Sequence, residues 1–436
     1  MKLILYCTVV AAFLKGAVSL PVATTDVPGL SGTDSSVTDA TLRRIHKNVL
    51  TIDPHLDIPV DFGKAGSNGQ FDLAKLEAGD LDVATVALFA STAKKTPENI
   101  AAARSEVDTK LAAIKQFVNQ HPERLAFATT AADLERIPAQ GKHAILLSYL
   151  NAYALGTDLT QLPLLYKEGV RVFGLTHAGN NDWADSSRPV VGFGDKPNEL
   201  GGLSGLGKQA VTELNRLGVI VDVSQLTPAG VFQTLKLTKA PVVASHSAVR
   251  ARVDATRNLN NDELKAIATN GGVVSIVAFP AYLHESEQQK SDYLKNVWEP
   301  FGLKPGDDAK SRLDAETYKK YQAAYKAYSA SGWKYASLTD YLDAVDYAVR
   351  LIGIDHVGLA SDFNHGGGVR GYSHVGEAPN LTKELLKRGY SEADIAKLWG
   401  GNFLRVFRQV EATAKQLQTG GPVRRSGHSA KALTVK

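Results

Sequence analysis

The stretch "GVIVDVSQLTPAGVFQTLKLTKAPVVASH", residues 218 to 246, holds the unit from which this chain is built. Its opening "GVIVDVS" is a nearly unbroken apolar run rich in β-branched residues, and so is its closing "PVVASH" (241 to 246). Runs that are apolar at every position, rather than at alternate ones, belong to strands covered on both faces, as parallel strands are. The intervening "TPAGVFQTLKLT" begins on Thr-Pro, a helix start, and continues with helical spacing of apolar residues. The unit reads strand, helix, strand.

Six further runs of the same kind lie to either side: "NVLTID" (48 to 53), "VATVALFAS" (83 to 91), "AILLSYL" (144 to 150), "VRVFGLTH" (170 to 177), "GVVSIVAF" (272 to 279) and "HVGLAS" (356 to 361). Helical stretches such as "NIAAARSEVDTKLAAIKQFVNQH", "GLGKQAVTELNRLG" and "NDELKAIATNGG" separate them. Eight strands alternating with helices predict an α/β fold, a (β/α)8 TIM-type barrel, over residues 39 to 418. A doubly wound open sheet is the alternative, because periodicity does not show closure. Residues 281 to 336 break the rhythm: charged, Tyr-rich and helical in pattern, they form an insertion between strands 7 and 8 at the rim where active sites assemble. They either cover the pocket mouth or make a solvated excursion with a structural role only. "SEAD" at 391 to 394 is a capping pattern that opens the closing helices.

Residues 1 to 19 carry a basic start, an apolar core and the small-residue site Ala17-Val18-Ser19, which predicts a cleaved signal peptide and a secreted or periplasmic, soluble product. Residues 20 to 38 read as a flexible leader and 419 to 436 as a disordered tail. The formal charge of +4 falls to +2 once Lys2 and Lys15 are removed, which gives no electrostatic case for nucleic acid. Cys7, the only cysteine, lies inside the signal, so any metal must rest on His, Asp or Glu. No later apolar run is long enough to span a membrane.

Catalytic groups of a barrel gather where its strands end. Those ends carry His55 and Asp57, His177, Asp222 with Gln225, His246, and Asp362. A lone His or Asp at a strand end is more often a cap than a ligand; several on one rim point to chemistry. His55 and Asp57, two apart, share one face of a strand and could close on one ion. His365 follows Asp362 into "NHGGG" and could reach the pocket, but the favoured reading is an exposed loop residue.

The segments "IDPHLDIP", "YKEGVRVFGLTHAGNNDWADSS", "LGVIVDVSQLT", "APVVASHSAVRARVDATRNLNNDEL" and "GLASDFN", in this order, resemble the membrane (renal) dipeptidase family from about residue 41 to 418. The resemblance implies an amidohydrolase-type barrel with two zinc ions that hydrolyses dipeptides, and it is consistent with a homodimer. It further implies that His55 and Asp57 hold one metal and His246 part of the second. By the same likeness Asp362 handles the proton of the attacking water, while His177 and Arg257 stabilise the tetrahedral intermediate and grip the substrate carboxylate.

Two ligand positions depart from the family pattern. Leu150 stands where a Glu bridges the two metals, and Gln225 where a His binds the second. Leucine leaves two dications unopposed, and an amide oxygen is a poor zinc ligand beside imidazole. A second site resting on His246 should be empty or weak. The first keeps His55 and Asp57, with Asp362 as a third ligand, enough for a one-zinc centre. Three functions stay open: a one-metal hydrolase of dipeptides or small amides, a metal-free member that binds small molecules or runs other chemistry in the same pocket, and an inactive homologue.

Overall fold

Each expected apolar run becomes a buried parallel strand. In the computed structural model, which describes residues 38–63, 69–304, 307 and 309–420, the strands are β1 (Ile52–Asp57), β2 (Val83–Phe89), β3 (Leu125–Ala128), β4 (His143–Leu150), β5 (Val170–Gly174), β6 (Ile220–Asp222), β7 (Val243–Ser247), β8 (Val273–Val277) and β9 (Val357–Ala360). The signal peptide, nearly all of the leader and the tail beyond residue 420 lie outside the described residues.

The order is β1-β2-β4-β5-β6-β7-β8-β9, every pairing parallel, with β3 off this path against β4. The two ends of the row meet through the backbone: Asp362 N donates to His55 O (3.1 Å) and Asp57 N to Phe363 O (2.9 Å). Asp53 Oδ1 adds a side-chain link, accepting from Ser361 N at 3.3 Å. The sheet is thus a nearly closed eight-stranded barrel, and β3 is an extra strand outside it. The four residues of β3, "LAFA", are too few and too exposed at their centre to give a clear apolar signal.

Two boundaries move. Asp39–Asn48 is a helix, so the first strand begins at Ile52, and His55 and Asp57 lie within β1 rather than beyond it. β5 stops at Gly174, which leaves His177 in the loop that follows. The helices start where their caps require. Thr227 accepts from Gly230 N ahead of Pro228–Leu237, Asn260 and Glu263 form a reciprocal cap on Asn261–Thr269, and Ser391 and Asp394 do the same on Glu392–Ala396.

Strand parity positions the site. Val83, Ala144, Leu146, Val172, Ile220, Val243 and Val273 form one apolar cluster with Phe403, Phe407 and Val410 of the last helix, Asn402–Gln418. At the other end the inward positions turn polar. Between β8 and β9 the chain is helical, chiefly Pro280–Leu283, Glu287–Tyr293, Ala315–Ser331 and Leu338–Ile352. Lys326 of that segment pairs with Asp61, just after β1, at 3.3 Å, and Arg370, after β9, donates to Lys334 O.

Candidate active site

His55 and Asp57 come from β1 and His246 from β7. Asp222 ends β6 and Asp362 follows β9, and all five are buried. Their ligand atoms form two overlapping triads, His55–Asp57–Asp362 and His55–Asp222–His246, each with every atom within 4.8 Å of the others. The first triad has the form of a metal site. His55 Nε2 stands 3.9 Å from Asp57 Oδ1 and 3.8 Å from Asp362 Oδ1, too far for hydrogen bonds. Both His55 Nε2 and Asp57 Oδ1 are buried with no hydrogen-bond partner among the described residues. Orphaned buried donors and acceptors that converge are costly unless a cation or water joins them.

The second triad is occupied by its own hydrogen bonds. Arg188 Nη2 donates to Gln225 Oε1, and a guanidinium can only donate, so the amide nitrogen of Gln225 must face His246 Nε2, at 3.1 Å. That nitrogen accepts, which places the ring proton on Nδ1, 2.7 Å from Ser245 Oγ, and Ser245 in turn donates to Asp222 Oδ2. The lone pair a second metal needs is spent on Gln225. Burial, with the charges of His55 and Arg257, holds His246 well below the usual imidazole range. Its ring stacks on His55 with centroids 3.7 Å apart, so at most one of the two can carry charge at low cost.

Leu150 ends β4 with its side chain in an apolar cluster with Ala87 and Phe89. Hydrocarbon thus fills the wall where a bridging carboxylate was absent from the sequence. The adjoining Asn151 is no substitute. It adopts φ +80°, donates to Ala90 O and Thr92 Oγ1, and accepts from Tyr153 N, which makes it a loop tether. Leu150 thus offers no ligand atom, and Gln225 engages the His246 Nε2 lone pair.

His177 and Arg257 reach the same pocket. The His177 ring lies 4.4 Å from Phe89, and burial together with Arg188 holds the imidazole well below its usual range. Arg257 is buried, donates to His246 O and, at 3.1 Å, to Ser247 Oγ, and burial pushes its guanidinium down to about 10.

Two further residues enter the site. His365, expected in an exposed loop, instead folds back onto Asp57, its Nδ1 2.7 Å from Oδ2, with its ring against Phe89 and His177. Left-handed turns at Asp362 (φ +56°) and Asn364 (φ +64°) bring it there. Burial opposes charge on Asp57, but the His365 imidazole, with His55 and Lys110 beyond it, holds the carboxyl below its usual range; burial raises that of Asp362. Arg188, in the long loop after β5, is the other newcomer. The Arg-Pro after "DSS" was its only trace in the sequence.

A parallel barrel whose strand ends gather imidazoles and carboxylates is the architecture of a metal-dependent hydrolase. The chain belongs to the membrane dipeptidase family, peptidase family M19, whose model matches residues 39–421. It is a dipeptidase-family hydrolase of a metallopeptidase family. It is 30% identical over 354 residues to Dipeptidase aclJ of Aspergillus oryzae, covering 80% of this chain and 72% of that one. Among solved structures, the probable dipeptidase PvdM from Pseudomonas aeruginosa is 42% identical, with 86% of this chain and 98% of that one covered and a TM-score of 0.78. A metallopeptidase from Rhodobacter sphaeroides, liganded with a phosphinate mimic of L-Ala-D-Ala, shares the fold at 21% identity, covering 83% of this chain and 99% of that one with a TM-score of 0.63.

Proposed function

We propose that the protein hydrolyses dipeptides or related small amides with a single zinc ion held by His55, Asp57 and Asp362. The observation that carries this reading is the pair of orphaned buried atoms, His55 Nε2 and Asp57 Oδ1, facing Asp362. Zinc bound there supplies Lewis acidity, which makes water nucleophilic near neutral pH. Asp362, buried with its Oδ1 3.8 Å from His55 Nε2, takes the proton of the attacking water and returns it to the leaving amine. His177 lines the reacting side of the pocket, and the Arg257 charge draws the substrate carboxylate. The helical segment between β8 and β9, anchored at Asp61 and Arg370, limits bulk water at the mouth.

One observation favours a second reading. His365 already gives Asp57 a partner, which supports a metal-free pocket that binds small molecules. Zinc analysis of the purified, zinc-reconstituted protein separates the two: about one ion per chain, lost in Asp57→Ala, supports the hydrolase, and none supports the alternative. Dipeptides with C-terminal L- or D-residues then test turnover. Export, proposed from residues 1 to 19, would place this activity outside the cytoplasm. Among the described residues no helix is long and apolar enough to cross a membrane.

A further inference from the structure

The side of the pocket that lacks a second metal site holds a permanent cation instead. Arg188 carries five N–H hydrogens. Three have acceptors: Gln225 Oε1, the Tyr282 hydroxyl at 3.1 Å and, more weakly, His177 Nε2 at 3.4 Å. The Nε hydrogen is buried and has no partner among the described residues. The backbone around it is fixed, with Arg188 N donating to Ser186 Oγ and Arg188 O accepting from Gly179 N. The next turn is tied down by Asp195, which accepts from Val190 N and Asn180 N at 2.8 Å each. The guanidinium is held in place rather than free to swing.

A second cation adjoins it. The Arg257 guanidinium lies 5.6 Å from the centroid of the Tyr282 ring whose hydroxyl Arg188 binds, so two positive groups share one tyrosine. Among the described residues no carboxylate pairs directly with either guanidinium, although Asp362 and Asp222 act on Arg257 from farther off. Asp222 is bonded to Ser245, and Asp57 is paired with His365. Two like charges held close favour an anion between or beside them.

We propose that Arg188 is the oxygen-binding cation of this site, meeting the carbonyl or carboxylate oxygens of a carboxylate-bearing substrate where Leu150 and Gln225 leave no second metal. Gln225 belongs to that arrangement: its amide oxygen orients the guanidinium and its amide nitrogen takes up the His246 lone pair. The inference rests on the single-zinc hydrolase reading above and assigns the group that binds substrate oxygen opposite the zinc.

The test is calorimetric binding of a phosphinate dipeptide mimic, whose tetrahedral oxygens resemble those of an amide under attack, to the full zinc-loaded protein. Arg188→Met should bind about 30-fold more weakly, the worth of one charge-assisted hydrogen bond. Arg188→Lys should recover part of that loss, which a merely structural role would not predict. Both should keep the wild-type zinc content, and Arg188→Gln, uncharged but polar, serves if the Met variant fails to fold. Unchanged affinity in Arg188→Met and Arg188→Gln, or no binding by the wild type, overturns the proposal. Tight wild-type binding without hydrolysis of any dipeptide would overturn the hydrolase reading and leave Arg188 in its role.

Discussion

Leu150 is packed closely on every side the structure shows. A Cβ on Gly174 would stand 2.9 Å from Leu150 Cδ1, so the glycine of β5 makes room for the leucine, while Ala87 and Phe89 close around it. Restoring a carboxylate at this one position should therefore not restore a metal centre. Leu150→Glu is expected to lose about 3 kcal/mol of stability in chelator, the cost of an uncompensated buried charge, read from denaturant unfolding. Unchanged stability would show that the wall is polar or open. On the one-zinc proposal His365 acts in the opposite sense, holding Asp57 in place for the ion. His365→Ala should weaken zinc affinity by about 10- to 100-fold in chelator competition, as loss of an outer-shell partner of a ligand does, with stoichiometry unchanged. Tighter zinc binding would mean that the His365–Asp57 pair competes with the metal and would favour the metal-free pocket. The sequence placed His55, Asp57, His246 and Asp362 on one rim because strand periodicity does so. It left His365 as the less favoured of two readings and missed Arg188, because loop backbone has no period to read.

Among the elements, the eight barrel strands were legible because each is buried on both faces, and β3 was not, being short and half-covered. The register of β1 against β2 has a clear side-chain determinant. Asp82, just before β2, accepts from Thr51 N (2.9 Å) and Thr51 Oγ1 (3.1 Å), just before β1. Burial pushes the Asp82 carboxyl up to about 6 in spite of these bonds. A carboxyl whose folded pKa is raised contributes stability that is present below its unfolded value and lost as pH rises through about 6. Asp82→Asn has no such dependence. Its melting temperature should therefore gain on the wild type between about pH 4 and pH 7, and a constant or reversed difference would show that burial does not govern this group.

At the scale of the whole molecule, the barrel gathers residues from β1, β6, β7 and the turn after β9 at one end, and the helices between β8 and β9 lie beside it. Fold and family followed from strand alternation and five quoted segments. The sequence already offered a one-zinc centre through Leu150 and Gln225, but the hydrogen-bond chain from Arg188 through Gln225, His246 and Ser245 to Asp222 is visible only in three dimensions. From that chain we propose that the pocket takes one ion. Elemental analysis of zinc-reconstituted protein should find about one zinc per chain, absent from Asp57→Ala and retained in His246→Ala. Two tightly bound ions, or none, would contradict it.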